Sequence, residues 1–506
     1  MKTTNVWLIV ALLGGAVSPG CTSDPDDPQG WIKKLDDPRD QKEALRNLQR
    51  LKKPEALKPL MDLYARDKDP AVLDVIVGFE SNDAIPTLIS ALSYTKENFD
   101  HAVRAAEALG RLKAAKAVDP LLKMLEPPLE VKDRANLAKQ AAIRALAKIK
   151  DPQAVPALAK MVEELPDKQD LFLNKVAALA LAEMPDPRAI PSLIKGMYIS
   201  RADGATIFQE CRYALVRIGE PAVQPLIEVL RERDPNLNAF AKQLDFKGGV
   251  LAFKAAYVLG DLASPKAVPA LVGKLKESDK GGTQSEALQA LGQIGDAAAL
   301  DAIREQLKNP KADAKVRQAA CDAVLRAFDT RSLQALIDLA KNEKGDANLR
   351  VAAAMVLSRI GDKPIAQAFV PYARKSGYAE MTEAAERLEL AVICGDDIAC
   401  WKKKLETGKP VEQEKSAFML GLYGSKNAAS KGPALSALSA KLETQEPVVR
   451  LAVLEGLKRV AEPGKADEVV RKLQALIAKE EKMTKVPAFT NLVNEMRILL
   501  AKLQKA

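Results

Sequence analysis

A short pattern that recurs along this chain constrains its fold more than any other feature. The pattern reads Asp-Pro-x-Ala-aliphatic-Pro-x-Leu, and its clearest copies are residues 151–158 and 186–193. An internal period of about 35 residues implies units too small to bury their own apolar faces, so the units must stack into a solenoid. The aliphatic residue of the pattern, called the marker below, falls at Ile85, Val118, Val155, Ile190, Val223, Val268, Leu300 and Leu333.

Each unit has the composition of two packed helices. The first half carries rows of small residues, as in Ala105-Ala106, which let neighbouring helices approach closely. We expect this first helix to end at a glycine such as Gly110 or Gly260, because glycine accepts the left-handed conformation that terminates helices. Proline then opens a second helix, where its missing N–H costs no hydrogen bond. With aromatics at only 4% of the residues, the sequence predicts an all-α protein.

The units resemble HEAT repeats of the short-turn type first noted in phycobilisome lyases. Residues 103–110 and 316–320 carry this resemblance well. The resemblance implies an α-solenoid of about 12–13 HEAT-like helical hairpins over residues 31–484, with weaker repeats at about 375–440. It also implies a capping helix at 485–506 and a concave face lined by the second helices.

The first twenty residues have the features of an export signal. Residues 6–17 are apolar but too short for a membrane span, and a glycine–cysteine pair ends at Cys21. This ending resembles the lipobox of bacterial lipoproteins, although Ser18 stands where that motif has an aliphatic residue. The resemblance implies a signal peptide at 1–20, a lipid on the Cys21 thiol and a disordered tether at 21–30. Ordinary secretion and a retained anchor stay open.

The motifs argue against an enzyme. The chain has one histidine, His101, which leaves no room for histidine-rich metal sites or Ser-His-Asp triads. The His-Glu pairs with which deoxyhypusine hydroxylases, also HEAT proteins, bind iron are missing, as are P-loop and Gly-x-Ser-x-Gly motifs. The net charge of +9 is modest for a nucleic-acid binder of this length. We therefore expect no catalytic site, cofactor, metal or nucleic acid.

The other four cysteines form two groups. Cys394 and Cys400 are six residues apart across a predicted turn, and in an oxidising compartment such a pair forms a structural disulfide. Free thiols and a redox-active pair are the alternatives. Cys211 and Cys321 lie in first helices near the small-residue rows, so we expect both to be small core residues.

One surface pattern on the second helices is a candidate partner-binding site. The side chain five residues after the marker lies about 200° around the helix from the buried leucine, so it should face solvent. In four successive units this position is occupied by Lys123, Lys160, Lys195 and Glu228. A basic patch followed by an acidic one would orient a partner of opposite charge pattern. Ordinary surface charge falling into this order by chance is the alternative.

The long interval of 45 residues between Val223 and Val268 contains an insertion at about residues 231–249. Its Phe240 and Phe246 are candidate contact residues, because insertions in repeat proteins often form binding loops. The alternative is a linker whose two phenylalanines pack onto the next repeat.

Together these features predict a non-enzymatic scaffold for protein–protein interaction. We expect a monomer, anchored by its N-terminal lipid in the bacterial envelope. The expected location is the outer membrane facing the periplasm, or otherwise the periplasm as a secreted protein. Its partner would be another envelope protein, bound along a concave face of second helices. Binding of a polyanion or envelope glycan through the lysines is the main alternative. A HEAT-fold nucleic-acid-binding protein and a lyase-like enzyme are further ones.

Overall fold

Helices account for the regular structure of this protein. The computed structural model describes residues 26–93, 98–126, 130–246, 248–277, 282–480 and 487–504. Within these ranges 13 helical hairpins stack one on the next, which confirms the predicted α-solenoid. The first helices are α2 (Gln41–Leu51), α4 (Pro70–Gly78), α6 (Phe99–Arg111), α8 (Asn136–Ile149), α10 (Leu171–Glu183), α12 (Phe208–Ile218), α15 (Val250–Leu262), α17 (Thr283–Ile294), α19 (Ala314–Ala327), α21 (Ala347–Ile360), α23 (Ala379–Cys394), α25 (Pro410–Lys426) and α27 (Pro447–Val460).

The second helices complete the hairpins, and three further helices lie outside them. The second helices are α3 (Leu57–Asp67), α5 (Ile85–Ser90), α7 (Val118–Lys123), α9 (Val155–Val162), α11 (Ile190–Gly196), α13 (Val223–Leu230), α16 (Val268–Lys274), α18 (Ala297–Lys308), α20 (Leu333–Lys341), α22 (Lys363–Ala373), α24 (Ile398–Thr407), α26 (Ala428–Lys441) and α28 (Asp467–Glu480). Helix α1 (Pro28–Lys33) precedes the stack, α14 (Pro235–Gln243) lies in the insertion, and α29 (Pro487–Leu503) ends the chain.

Where the Asp-Pro pattern occurs, it forms the turn inside the hairpin. The side chain of Asp151 accepts a hydrogen bond of 2.9 Å from the backbone N–H of Gln153, and Asp186 makes the same bond to Arg188. These bonds satisfy N–H groups that a helix start leaves unpaired. A single 3-10 turn follows, and the second helix begins at the marker, for example at Val155.

Two of the glycines expected to end first helices do something else. Gly110 and Gly260 lie inside α6 and α15, so their prediction as helix ends was wrong. A Cβ atom on Gly110 would lie 2.8 Å from the Cα atom of Ala145 in the next first helix. Gly260 is equally close to the Cα atom of Ala290. Both glycines therefore serve the close approach of neighbouring first helices.

The first helices line the inner side of the curved stack. Neighbouring first helices touch along more of their length than neighbouring second helices do. In addition, α29 packs against α12, and Arg459 of α27 donates to the Gly292 carbonyl of α17, so the last helices face the first helices of distant units. Only the inner side of a curved stack can meet itself. The expectation that second helices form the concave face was therefore wrong, and the small-residue rows explain why.

The end of the chain closes the solenoid on itself. Helices α25, α27 and α29, called the covering helices below, lie over the inner side of the middle units. The chain's last helix was expected only to cap the end of the stack. It also contacts α12, whose Arg212 is 283 residues before Glu495 in sequence. This contact makes the array a closed arrangement rather than an open spiral.

Packed structure begins earlier than the predicted tether boundary. Helix α1 starts at Pro28, and the indole of Trp31 is buried. The predicted signal peptide and the Cys21 lipid site lie outside the described residues. None of the helices in the described part of the chain is both long and apolar enough to cross a bilayer.

Candidate functional site

The candidate residues on the second helices differ in exposure. Lys123 and Lys160 are exposed on α7 and α9. Lys195 is half-buried, with its Nζ atom 3.4 Å from the Glu163 carboxylate and 5.1 Å from the centre of the Phe240 ring. Glu228 is also half-buried and accepts a hydrogen bond from Gln224. A charged side chain that is already paired within the protein contributes less to the binding of a partner.

The insertion packs onto the array through its two phenylalanines. Phe240 is buried against the core, and the Phe246 ring centre lies 6.4 Å from that of Tyr198. Tyr198 belongs to the preceding unit, so the insertion folds back rather than forward. Neither ring protrudes as a contact loop would require. The linker alternative is right that the insertion packs onto the array, but the contacts of both rings are with the preceding unit and not with the next repeat.

The cysteines have structural environments. Cys394 and Cys400 form a disulfide across the α23–α24 turn, with Cα atoms 5.4 Å apart. The adjacent Trp401 is fully buried and donates a hydrogen bond of 3.0 Å to the Gly395 carbonyl. Cys211 and Cys321 are buried free thiols, and burial raises the pKa of both, that of Cys321 to about 12. Such thiols are poor nucleophiles.

His101 is part of the packing between units. Its Nδ1 atom lies 3.0 Å from the hydroxyl of Tyr64 in α3, the second helix of the hairpin two units earlier. In the described ranges no three His, Cys, Asp or Glu side chains come together as a metal site would need.

A network of buried charges joins the covering helices to the middle units. The Arg212 guanidinium binds Asp261 at 2.6 Å and Glu495 at 2.9 Å, and Lys458 binds Glu495 at 2.9 Å. Burial raises the pKa of the Glu495 carboxyl, but the charges of Lys458 and Arg212 outweigh it and hold the pKa below its usual value. Burial also raises the pKa of nearby Glu286, to about 7. This network is a closure device with its charges satisfied internally.

Beside this closure lies an open cleft, called the first-helix cleft below. It has a volume of about 1000 Å³ and is bounded by α6, α8, α10, the start of α12 and α29. Its floor is apolar and includes Ala147, Val176 and Leu179. Phe172 at its edge is 43% exposed, which is unusual for a large apolar side chain in this protein. Small-molecule pockets span roughly 300–1000 Å³, so this cleft is at the upper end of that range.

The rim of the cleft is basic. Seven of its lining side chains are Lys or Arg, and two are Glu. Arg111, Lys150 and Lys175 each have a glutamate within 3.6 Å. Arg144 and Lys148 are exposed, and neither has an ion-pair partner among the residues that the structure describes. A rim of this kind attracts anionic groups, while the floor favours apolar ones.

Counting residues back from the marker identifies the positions of each first helix that face the inner side of the stack. Residues eleven and seven before the marker, called the inner positions below, are one helical turn apart and share a face. In α12 and α19 they include Arg212 and Arg326, which lie in the closure. In α8 they are Arg144 and Lys148. Sequence reasoning missed this cleft because it applied the count only to second helices.

Family models match three stretches of the chain. The model for HEAT repeats matches residues 129–206 and 250–313, and the model for the PBS lyase HEAT-like repeat matches residues 102–127. This chain is a HEAT-repeat protein. The matched stretches of the HEAT array include α8 and α10, which form most of the cleft floor.

Solved HEAT-type structures share the helical architecture at low identity. A mutant of the karyopherin Kap121p is 14% identical over 90% of this chain and 55% of its own, with a TM-score of 0.47. The CpcE–CpcF phycocyanin lyase complex of Nostoc is 23% identical over 55% of this chain and 94% of its own, with a TM-score of 0.26. Human deoxyhypusine hydroxylase is 18% identical over 59% of this chain and 95% of its own, with a TM-score of 0.21.

The HEAT array thus spans just over half the length of the karyopherin it resembles. No curated protein sequence matches the chain significantly.

Proposed function

We propose that this HEAT-repeat protein is a non-enzymatic scaffold that binds an acidic partner protein in the first-helix cleft. The observation that carries the proposal is the pair Arg144 and Lys148, two exposed cations above an apolar floor with no carboxylate bound to them. By contrast, Arg212 and Lys458 on the inner side are paired with Glu495 across the closure. Unpaired charges next to an unfilled apolar surface are what a binding site presents before its partner arrives.

The cleft is a better binding site than the second-helix lysines. Its walls come from several first helices and α29, so a ligand would be surrounded on more than one side. By contrast, Lys123 and Lys160 lie on an outer, convex surface and are exposed one by one. Concave surfaces bury more of a ligand, and hot spots of binding concentrate there.

We further propose that the protein is held at the bacterial envelope by a lipid on Cys21. The support is the sequence alone: an apolar segment at 6–17, the small residue before the cysteine, and the polar residues that follow it. Intact-mass analysis of the N-terminal peptide from the membrane fraction tests this. A peptide that begins at Cys21 and carries the mass of acyl chains is expected, and an unmodified cysteine contradicts the anchor.

The scaffold proposal is tested by crosslinking in cells. The double variant Arg144→Glu/Lys148→Glu reverses the cleft charges, and Lys123→Glu/Lys160→Glu reverses the same number on the outer face. We expect the unchanged protein and the outer-face variant to crosslink one acidic envelope protein, and the cleft variant to lose it. Equal loss in both variants, or in neither, would place the partner elsewhere.

A further inference from the structure

The covering helices do not extend over the N-terminal units of the array. They lie over the inner side of the array from α21 back to α12, where α29 ends the row. The inner positions of α6, α8 and α10 therefore stay uncovered, and five of these six residues line the first-helix cleft. The cleft is thus the place that a further covering helix, beyond α29, would occupy.

Where covering helices are present, they supply carboxylates to first-helix arginines. Glu495 of α29 binds Arg212 at 2.9 Å, and Glu414 of α25 binds Arg359 at 2.9 Å. The charge of Glu455 in α27 acts on Arg326, whose pKa rises although burial opposes the rise. At these three places the covering row offers a carboxylate to an arginine of the array, while its own Lys415 and Arg459 donate to backbone carbonyls of the array.

Helix α8, in the middle of the uncovered units, carries basic residues at both of its inner positions. Arg144 occupies the same inner position in α8 as Arg212 does in α12, since each is eleven residues before its marker. Lys148 likewise matches Arg326, seven residues before the marker. In the closure both arginines have a carboxylate nearby. In the cleft their counterparts have none within the described structure.

Between these cations the surface is apolar. The inner positions of α10 are Leu179 and Glu183, and Glu183 is paired with Lys150. Val176 lies one turn before Leu179, and Phe172 lies at the edge. Covering helices put apolar side chains on the same kind of surface: Phe418 of α25 lies 6.0 Å, ring centre to ring centre, from Phe328. A ligand suited to the cleft therefore needs an apolar stripe flanked by carboxylates.

We infer that the first-helix cleft takes an acidic amphipathic helix of a partner protein, laid beside α29 as the next covering helix. The inference rests on the proposed scaffold function and adds the class of its partner. It follows from the continuity of the cleft with the closure and from the matched positions of Arg144 and Arg212. A helix satisfies its own backbone hydrogen bonds, which an extended peptide could not do against side chains of helices.

Fluorescence anisotropy with the full mature chain tests this inference. The probe is a labelled synthetic peptide of about four helical turns, with leucines along one face and glutamates on both sides of it. The first comparison is a scrambled peptide of the same composition, which has the same net charge but no continuous row of leucines along one face. The second is polyglutamate of equal length. Arg144→Glu and Lys148→Glu are the cleft variants, and Lys160→Glu is the matched control.

We expect the amphipathic peptide to bind, with each cleft variant weakening the binding about tenfold, as the loss of one charge-assisted contact would. The control should bind as the unchanged protein does. Equal affinity for the scrambled peptide or polyglutamate would overturn the helix inference and leave a cleft for polyanions. Binding that is indifferent to the cleft variants would overturn the site itself, and with it the proposed function.

Discussion

Arg212 and Glu495 are separated by 283 residues of sequence and by 2.9 Å in space. Lys458 holds the same carboxylate from a second covering helix, also at 2.9 Å. In an ordinary solenoid each unit contacts only its neighbours, so stability is close to a sum of local terms. The Glu495 carboxylate breaks that rule, because it links α12 to two helices near the end of the chain, α27 and α29.

Replacing Glu495 with alanine should open this closure. Arg212 and Lys458 would then lose the shared carboxylate, while Arg212 keeps Asp261 and Lys458 keeps Glu455. Loss of a hydrogen bond to a charged group costs about 1.5–3 kcal/mol. We expect a clear fall in the urea midpoint and faster amide hydrogen exchange in α29. Glu305→Ala, at an exposed second-helix position, is the control and should change stability by less than about 0.5 kcal/mol. Matching curves for the two variants would rule out the closure as a stabilising contact.

The contact between α25 and α27 should tolerate no added methyl group. A Cβ atom on Gly421 would lie 2.7 Å from the Cα atom of Gly456, so Gly421→Ala must push two helices apart. Overpacking of this kind costs about 1–3 kcal/mol. Gly273→Ala in α16 meets nothing within 4 Å and should instead stabilise the protein by about 0.5–1 kcal/mol. Thermal unfolding of both variants measures the difference, and shifts of the same sign would contradict the close approach.

The buried Lys415 should give stability a pH dependence. Its Nζ atom donates to the carbonyls of Ser358 at 2.8 Å and Gly361 at 3.0 Å. Burial lowers the pKa of Lys415 to about 7; the charge of Asp362 opposes this shift and that of Arg387 adds to it. Between this value and the unfolded pKa of 10.5, the unfolded chain binds a proton that the folded chain does not. Stability linked to Lys415 therefore rises with pH across this window.

The matching variant is Lys415→Met, which removes the titrating group. Urea unfolding at pH 7, 8 and 9 should show the stability difference, unchanged protein minus variant, growing by up to about 1.4 kcal/mol per pH unit. Loss of the two hydrogen bonds adds a constant offset and leaves the slope unaltered. Parallel pH profiles would mean that Lys415 titrates normally in the folded state.

Cysteine chemistry should separate the three kinds of cysteine in this chain. Unfolding without reductant should release two reactive thiols, from Cys211 and Cys321, if Cys21 carries a lipid. A third thiol would indicate a free Cys21. Replacing both Cys394 and Cys400 with serine should cost about 2 kcal/mol, as expected for a small closed loop. A Cys211→Ser variant with the disulfide intact is the comparison in urea unfolding.

Local features of the fold were predictable because short-range chemistry determines them. The Asp-Pro pattern correctly predicted where α9 and α11 begin, since the turn and its hydrogen bonds lie within one unit. Gly110 was misread because a helix-ending glycine and a close-approach glycine look alike in one sequence. What distinguishes them is Ala145, which lies in the next unit.

The closure and the cleft could not be predicted from the sequence of single units. Nothing around Arg212 indicates that its partner is Glu495, because the pairing depends on the summed curvature of many units. A partial signal did exist. Small residues such as Ala105-Ala106 lie in first helices, and the row of helices with the closest spacing must be the inner one. Counting from the markers into first helices would then have drawn attention to Arg144.

An open solenoid bends easily, because small changes between neighbouring units add up along the array. The link between Arg212 and Glu495 restrains this bending between α12 and α29. The wall that α29 gives to the cleft is therefore held at a set width before any ligand arrives. A partner helix that fits this width binds without the entropic cost of ordering a flexible array. A helix with bulkier side chains binds less well, because the closure resists widening of the cleft.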